Sequence, residues 1–294
     1  MDTSHVCLIF SLIIIDIFGI FGNTFLIFII ISNKEYFKSK SSLMILTISV
    51  CDICSEVTLC AVSILDLQEH HFYQHDCFYH HCLAIVSTST QIYLMTMLSV
   101  DRFMAVVFPL SYREPTKLIY ALTIGVITFF AAAVIFYGVV LLGEDTSTAS
   151  CTLASAMNKV AFGIWSKIIV VCMGITVLVY GMSVVALWLK AKKSGSGVQS
   201  SQSTVMKTIA AIVGFYSATI LLANVLKFLQ PYAPDCILAV FHYGIGILGH
   251  LCYAGNFYIY MWRNPTYRTA FLKILRLHKS FKTVVVDQFR STET

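Results

Sequence analysis

Seven long apolar stretches, separated by short polar connectors, run along the 294 residues of this chain. A bilayer core about 30 Å thick is crossed by a helix of roughly 20 mostly apolar residues. The seven stretches lie near 6–31, 43–67, 78–108, 118–142, 160–189, 204–230 and 236–262. A membrane β-barrel would instead show short segments of alternating polarity. The pattern therefore predicts an all-α membrane protein, a bundle of seven transmembrane helices.

The composition supports a membrane protein. Hydrophobic residues make up 57% of the chain and charged residues 12%, and the mean hydropathy is +0.79. A soluble domain usually carries about 25% charged residues, so this chain lacks the water-facing surface of one. Its aromatic residues, 13% of the total, exclude disorder for the bulk of the chain. With 15 Gly and only 5 Pro, the chain is expected to form long uninterrupted helices.

Basic residues predict the orientation. All Lys and Arg except Lys159, Lys167 and Lys227 fall in the first, third and fifth connectors, in the helix ends that flank them, or in the C-terminal segment. Because such residues are enriched on the cytoplasmic side, we expect a cytoplasmic C-terminus and an extracellular N-terminus in the plasma membrane. The inner leaflet explains the net charge of +5, so no nucleic-acid partner is implied. The first stretch lacks a positive leader and contains Asp16, which favours a spanning helix over a signal peptide.

A charged pair, Asp101–Arg102, lies at the cytoplasmic end of the third stretch, within the segment SVDRFMAVVFPLSY at 99–112. An unpaired charge at a membrane boundary is costly, so such residues are candidates for function. The alternative is a snorkelling pair that only anchors the end of the helix. The dipeptide alone does not decide between these interpretations.

The surrounding residues are informative. The segment resembles the Asp-Arg-Tyr box of rhodopsin-like G-protein-coupled receptors and the Pro-Leu-x-Tyr that follows it, with Phe103 in place of the tyrosine. Further matching positions lie in the first, second and seventh stretches: Gly22, Asn23, Leu46, Asp52, Asn256 and Tyr260. The resemblance covers about residues 18–278. In its overall pattern the chain is similar to the nematode serpentine chemoreceptor class Srsx.

This resemblance implies a receptor that binds an extracellular small molecule or peptide and activates a heterotrimeric G protein, without a cofactor. The residues it implies for G-protein coupling are Asp101, Arg102, Phe103, Pro109 and Tyr112. Those implied for a polar activation core are Asn23, Asp52, Gln91, Asn256 and Tyr260, with Asp52 as a weak sodium candidate. It also implies a disulfide between Cys77 and Cys151, for which Cys82 is a less suitable alternative to Cys151.

The ligand pocket is predicted less sharply. Ala84, Thr88, Lys167 and His250 are candidate lining residues. Ala84 stands where amine receptors of the family have an aspartate, which argues against biogenic amines. No Lys lies between Cys236 and Trp262, so a retinal Schiff base is excluded. We interpret Asp16, Lys167, Lys227 and His250 as shallow or isolated cavity residues. Glu56 follows Asp52 by four residues, on the same helix face.

The chain departs from the family pattern at the residues that the family uses to switch between its inactive and active states. The sixth stretch has neither Trp nor Pro, and Phe257 replaces the proline of the seventh. No Asp or Glu lies between Asp145 and Asp235, so the sixth stretch offers Arg102 no acidic partner. We take Phe215 and Tyr216 as hypothetical substitutes for the missing Trp.

The remaining features are secondary. Histidines 70, 71, 75, 80 and 81 are irregularly spaced, which favours polar loop residues over a zinc site or a pH-sensitive surface. The stretch 265–278 predicts an amphipathic helix on the inner leaflet, the last part of a receptor domain over 1–278, with a short cytoplasmic tail at 279–294. A transporter, a channel or a non-signalling scaffold remains the alternative class.

Overall fold

The computed structural model describes residues 3–33, 40–68, 72–108, 112, 116–138, 142, 147–148, 151–194, 200–232 and 234–275. Eight α-helices lie in these segments: α1 Thr3–Ser32, α2 Lys40–Leu67, α3 Gln74–Val107, α4 Thr116–Phe136, α5 Lys159–Ser194, α6 Ser200–Leu229, α7 Asp235–Arg263 and α8 Pro265–Ile274. A short 3-10 turn, Gln230–Tyr232, follows α6.

Helices α1–α7 correspond to the seven predicted stretches and confirm the all-α bundle. Five of them contain described segments long and apolar enough to cross a membrane, namely α1, α2, α3, α5 and α6. The described apolar part of α4, Leu122–Phe136, is shorter. Its α-helix ends at Phe136, before the predicted end at 142, and two residues of π-helix follow. Residues 139–141 lie outside the described part.

The helices close into a ring. Helix α1 packs against α2 and α7, and α7 also packs against α2 and α6. Helix α3 contacts α2, α4 and α5, while α5 contacts α6. The main apolar core joins α1, α2, α3, α6 and α7 through buried side chains such as Leu26, Ile48, Met95, Ile212 and Phe257. Because lipid tails are as apolar as these side chains, close packing rather than water exclusion holds such helices together.

Gly22 permits the close approach of α1 and α7. A Cβ atom at this position would lie 2.8 Å from the Cβ atom of Phe257. Such a distance is too short for two carbon atoms, so the contact depends on glycine. Small residues at helix interfaces serve this purpose in membrane bundles.

A two-stranded sheet lies at the end of the bundle where α3 begins. We call this the outer end, because the basic residues predict that it is extracellular. Strand β1, Phe72–Tyr73, pairs antiparallel with β2, Ser147–Thr148. Close by, a disulfide joins Cys77, at the start of α3, to Cys151, with their Cα atoms 5.4 Å apart. This is the pair implied by the family resemblance, whereas Cys82 is a free thiol. The hydrophobic pattern did not predict the strands.

Helix α8 begins at Pro265 and is amphipathic, as predicted. Its Phe271 ring lies 5.3 Å from Phe25 of α1 and 5.4 Å from Phe257 of α7, measured between centroids. Arg268 and Lys273 are exposed. The apolar face of α8 therefore packs on the bundle itself. The predicted last residues of this helix, 276–278, lie outside the described part.

Candidate functional site

The charged pair at the inner end of α3 is the centre of a four-residue cluster. Asp101 is buried, and its Oδ2 lies 2.8 Å from Nη2 of Arg102. Ser41 of α2 donates a hydrogen bond of 3.3 Å to the same oxygen. The Tyr112 hydroxyl donates one of 2.5 Å to Oδ1. We call Ser41, Asp101, Arg102 and Tyr112 the Asp101 cluster.

Tyr112 is a stable donor within this cluster. Burial and, after it, the hydrogen bond to the Asp101 carboxylate raise the pKa of the phenol to about 12. The phenol therefore stays protonated at physiological pH. Lys40 lies 5.2 Å from the centre of the Tyr112 ring, a cation–π contact that positions the ring from α2.

The other residues expected to couple the G protein are less connected. Phe103 is half-buried next to the cluster, and Pro109 lies outside the described residues. Lys190 of α5 was not singled out in the sequence, yet its Nζ donates a hydrogen bond of 2.5 Å to the carbonyl of Val106. Tyr180 of α5 lies near enough to Arg102 for an electrostatic interaction. Helix α5 thus joins α3 at the same end as the Asp101 cluster.

Asp52 is the hub of a second network, deeper in the bundle. Asn256 of α7 donates a hydrogen bond of 2.7 Å to its Oδ2, and Gln91 of α3 donates one to its Oδ1. The Tyr216 hydroxyl of α6 donates one of 3.3 Å to Oε1 of Gln91. The Asp52 network therefore links α2, α3, α6 and α7.

The other residues of the predicted activation core, Asn23 and Tyr260, have different partners. Asn23 donates to the carbonyl of Tyr253 at 3.3 Å and to Oε1 of Glu56 at 3.4 Å, so its partners lie on α7 and α2. Tyr260 is buried, and its ring centre lies 5.2 Å from that of Tyr267 in α8.

The interpretation of Asp16 and His250 as isolated residues is wrong. Oδ1 of Asp16 lies 2.7 Å from Nδ1 of His250, and both side chains are buried between α1 and α7. Single residues on separate helices carry no pairing signal in one sequence. Their shared preference for a polar partner inside a bilayer was the only indication.

The candidate pocket residues differ in their surroundings. Ala84 is buried, and Thr88 shares a hydrogen bond of 2.8 Å with the Tyr253 hydroxyl. Lys167 is exposed on α5. The ammonium group of Lys227 lies 5.2 Å from the centre of the Phe162 ring. Thr88 thus faces α7, whereas Lys167 does not face the bundle interior.

At the outer end, three residues with potential metal ligands lie close together, but two of them form the disulfide. Ligand atoms of Cys77, His81 and Cys151 lie within 4.8 Å of one another. Because the two sulfurs are bonded to each other, they offer no thiolate to a metal. His70 and His71 lie outside the described residues.

Two further contacts between α3 and α5 were not found in the sequence. The indole N–H of Trp165 donates a hydrogen bond of 3.1 Å to Oγ of Ser89. About two turns further along α3, Thr96 and Thr176 share one of 2.9 Å. Small hydroxyl residues on apolar helices are common, so these pairs gave no distinct signal.

Comparisons with known proteins agree with this geometry. The model of the family described as "Serpentine type 7TM GPCR chemoreceptor Srsx" matches residues 16–275. The chain is 27% identical to the type-1 angiotensin II receptor of Meriones unguiculatus over 217 residues, which cover 69% of this chain and 59% of that receptor. It is 25% identical to the type-1 angiotensin II receptor B of Xenopus laevis over 155 residues, 50% of this chain and 42% of that receptor.

The chain therefore spans about half the length of the curated relatives that it matches. The matched family and these named relatives are receptors and not enzymes. The family match includes α2–α7, most of α1, α8 and both polar networks. Since it covers well over half of the sequence, the chain belongs to the serpentine-type seven-transmembrane G-protein-coupled chemoreceptor family Srsx.

Proposed function

We propose that this receptor binds an extracellular ligand, a chemosensory small molecule or a peptide, and activates a heterotrimeric G protein through its cytoplasmic face. The observation that carries the proposal is the closed Asp101 cluster, in which Arg102 is held 2.8 Å from Asp101. The basic residues near the same helix ends support a cytoplasmic position for this cluster. The site combines a membrane-boundary charge with donors from α2 and the following connector.

The Asp101 cluster acts as a latch for Arg102. In the closed state, the carboxylate neutralises the guanidinium and orients it along α3. Opening the latch frees a cation with a planar set of donors, which suits the carboxylates and backbone carbonyls of a docking protein. Because α6 has no acidic residue to hold Arg102, the closed state depends on Asp101, Ser41 and Tyr112.

The Asp52 network joins α2 and α3, which also carry Ser41 and Asp101 of the latch, so we propose that it couples ligand binding to the latch. Thr88 is one of the candidate ligand-pocket residues, which together we call the proposed outer pocket. It bonds to Tyr253 of α7, and α7 also carries Asn256. Gln91, one turn further along α3, joins Asp52 and Tyr216. A ligand shifts the balance between two arrangements only by its differential affinity for them. We propose that the Asp52 network has two such arrangements and that the ligand favours one of them.

Guanine-nucleotide exchange on a panel of Gα proteins tests the proposal. The wild-type chain, Arg102→Ala and Asp101→Asn are compared in membranes at matched surface expression. Asp101→Asn should raise basal exchange about tenfold, because losing a charge-assisted contact of about 1.5 kcal/mol shifts the equilibrium by that factor. Arg102→Ala should abolish the nucleotide exchange that depends on the receptor.

Lys159→Ala is the matched control, since it removes an exposed cation at the opposite end of α5. It should leave exchange unchanged. If Asp101→Asn and Arg102→Ala both match the wild-type chain on every Gα protein that the chain activates, the latch is refuted. If no Gα protein responds and the membranes conduct solute flux that Arg102→Ala retains, a transporter is favoured instead.

A further inference from the structure

A cavity of about 280 Å³ lies between α3, α4 and α5, away from both polar networks. Its walls include Ile85 and Ile92 of α3, Val134 of α4 and Ile169 of α5. Ile85, Val134 and Ile169 belong to the outer halves of their helices, and Ile92 lies near the middle of α3. Thr88, which bonds to Tyr253, and Gln91, which bonds to Asp52, lie on a different face of α3. The cavity is thus separate from the proposed outer pocket.

The cavity opens toward the hydrocarbon of the membrane. Phe129 and Ile168 line it and are 67% and 54% exposed, so they form its rim. Within the described part of the chain, α4 packs chiefly on α3, which leaves the α4–α5 side open. A molecule dissolved in the outer leaflet can therefore enter sideways without crossing the bundle.

The lining selects against charge. Among the described residues that line the cavity there is no Asp, Glu, Lys, Arg or His. An ion placed there would lose its hydration without gaining a partner, which is strongly unfavourable. Tyr93, Tyr137, Trp165 and Ser89 bring polar atoms to the lining. The hydroxyl of Ser89 donates to the carbonyl of Ile85 and accepts from Trp165. One lone pair of Ser89 Oγ remains for a ligand donor.

The volume sets the size of the occupant. An apolar cavity of about 150 Å³ binds benzene, which has six carbon atoms. A cavity of about 280 Å³ therefore matches a molecule of roughly a dozen non-hydrogen atoms. A complete membrane lipid is several times larger and could insert only part of one acyl chain.

We propose that this cavity binds a small, neutral, apolar molecule of roughly a dozen non-hydrogen atoms, with one hydroxyl donor directed at Ser89. The occupant packs against α3 and α5 beside the Ser89–Trp165 contact and bridges the gap at α4. This binding site does not rest on the proposed G-protein function, because its occupancy is measured directly.

Photoaffinity labelling tests the site. The full receptor, in lipid nanodiscs, is irradiated with a ten-carbon alkanol that carries a diazirine, and labelled peptides are identified by mass spectrometry. Labelling of the α4 and α5 segments that line the cavity should saturate with probe concentration, and unlabelled 1-decanol should compete. Decanoate and decylammonium, which are charged analogues of the same length, should compete at least about tenfold less well.

Ala133→Leu and Ala132→Leu form a matched pair of variants. Both alanines are exposed neighbours on α4, but only Ala133 lines the cavity. Ala133→Leu fills part of the volume and should weaken saturable labelling about tenfold, whereas Ala132→Leu should leave it unchanged. The thermal unfolding of both variants is measured to verify that they fold.

Three outcomes would overturn the site. Labelling that rises linearly with probe concentration would mean that bulk acyl chains fill the groove. Equal labelling of Ala133→Leu and Ala132→Leu would place the bound probe elsewhere. Equal competition by decanol and its charged analogues, which needs no variant to fold, would contradict the neutral lining as the basis of recognition.

Discussion

Buried carboxyl groups define this receptor at the scale of single residues. Asp16, Asp52 and Glu56 are fully buried, and each contacts a polar side chain on a helix other than its own. A buried polar group without a partner is costly, so each partner contributes mainly by preventing that cost. Asp16 depends on His250, Glu56 on Asn23, and Asp52 on two amide groups.

The pair Asp16–His250 should stabilise the bundle measurably. Asp16→Ala is expected to lower the free energy of unfolding by about 1–3 kcal/mol, because it leaves a buried imidazole without its partner. The unfolding of the purified receptor is measured, and His250→Ala and the double variant complete the cycle. A coupling free energy near zero between the two sites would contradict this role.

A second Asp–His pair, which is partly exposed, provides the control for this prediction. His5 of α1 and Asp66 of α2 also pair, at 3.8 Å, but both side chains are about one-third exposed. Exposed ion pairs contribute only about 0–1 kcal/mol. Asp66→Ala should therefore change stability far less than Asp16→Ala.

At the scale of helices, length and hydrophobicity were sufficient to predict the elements, but not their partners. All seven spanning stretches became helices because an apolar run in lipid must satisfy its backbone internally. The short strands β1 and β2 were missed, since two residues carry no periodicity. Gly22 was recognised by its resemblance to the family, while its contact with Phe257 became visible only in three dimensions.

Contacts between helices determine the sites, and one sequence does not specify them. Tyr112 and Asp101 were both expected to take part in coupling, yet their hydrogen bond was not predicted. Asp52 and Asn256 were assigned to one core through the resemblance, and they are in contact. Asn23, assigned to the same core, pairs with Glu56 instead. The sequence motifs therefore predicted which region contains a site, but not which residues form hydrogen bonds within it.

The α1–α7 contact predicts the effect of a single methyl group. Gly22→Ala should lower the free energy of unfolding by about 1–3 kcal/mol, because the new Cβ overlaps Phe257 in a well-packed interface. Thermal unfolding in detergent or nanodiscs measures the change. Gly174→Ala in α5 is the control, since beyond its chain neighbours and its own helix backbone no described atom lies within 4 Å of the added Cβ. It should be neutral or stabilise the helix by up to about 1 kcal/mol. Equal effects at the two glycines would refute close packing at Gly22.

The whole molecule has three levels along its length. The disulfide and the β1–β2 sheet lie at one end, the Asp52 network in the middle and the Asp101 cluster at the other end. Cysteine pairs persist on an oxidising face, and basic residues gather on the cytoplasmic face. Two independent kinds of chemistry thus favour opposite sides of the membrane for the two ends.

This division predicts the orientation of the whole chain. An epitope tag fused before Met1 should bind antibody on intact cells, whereas a tag after Thr294 should bind only after permeabilisation. A membrane-impermeant reductant applied to intact cells should expose two thiols in the wild-type receptor but none additional in the Cys77→Ser/Cys151→Ser variant. The free thiol of Cys82 is retained in both and serves as the internal reference. A C-terminal tag accessible on intact cells would reverse the topology, and the Asp101 cluster would then face away from any G protein.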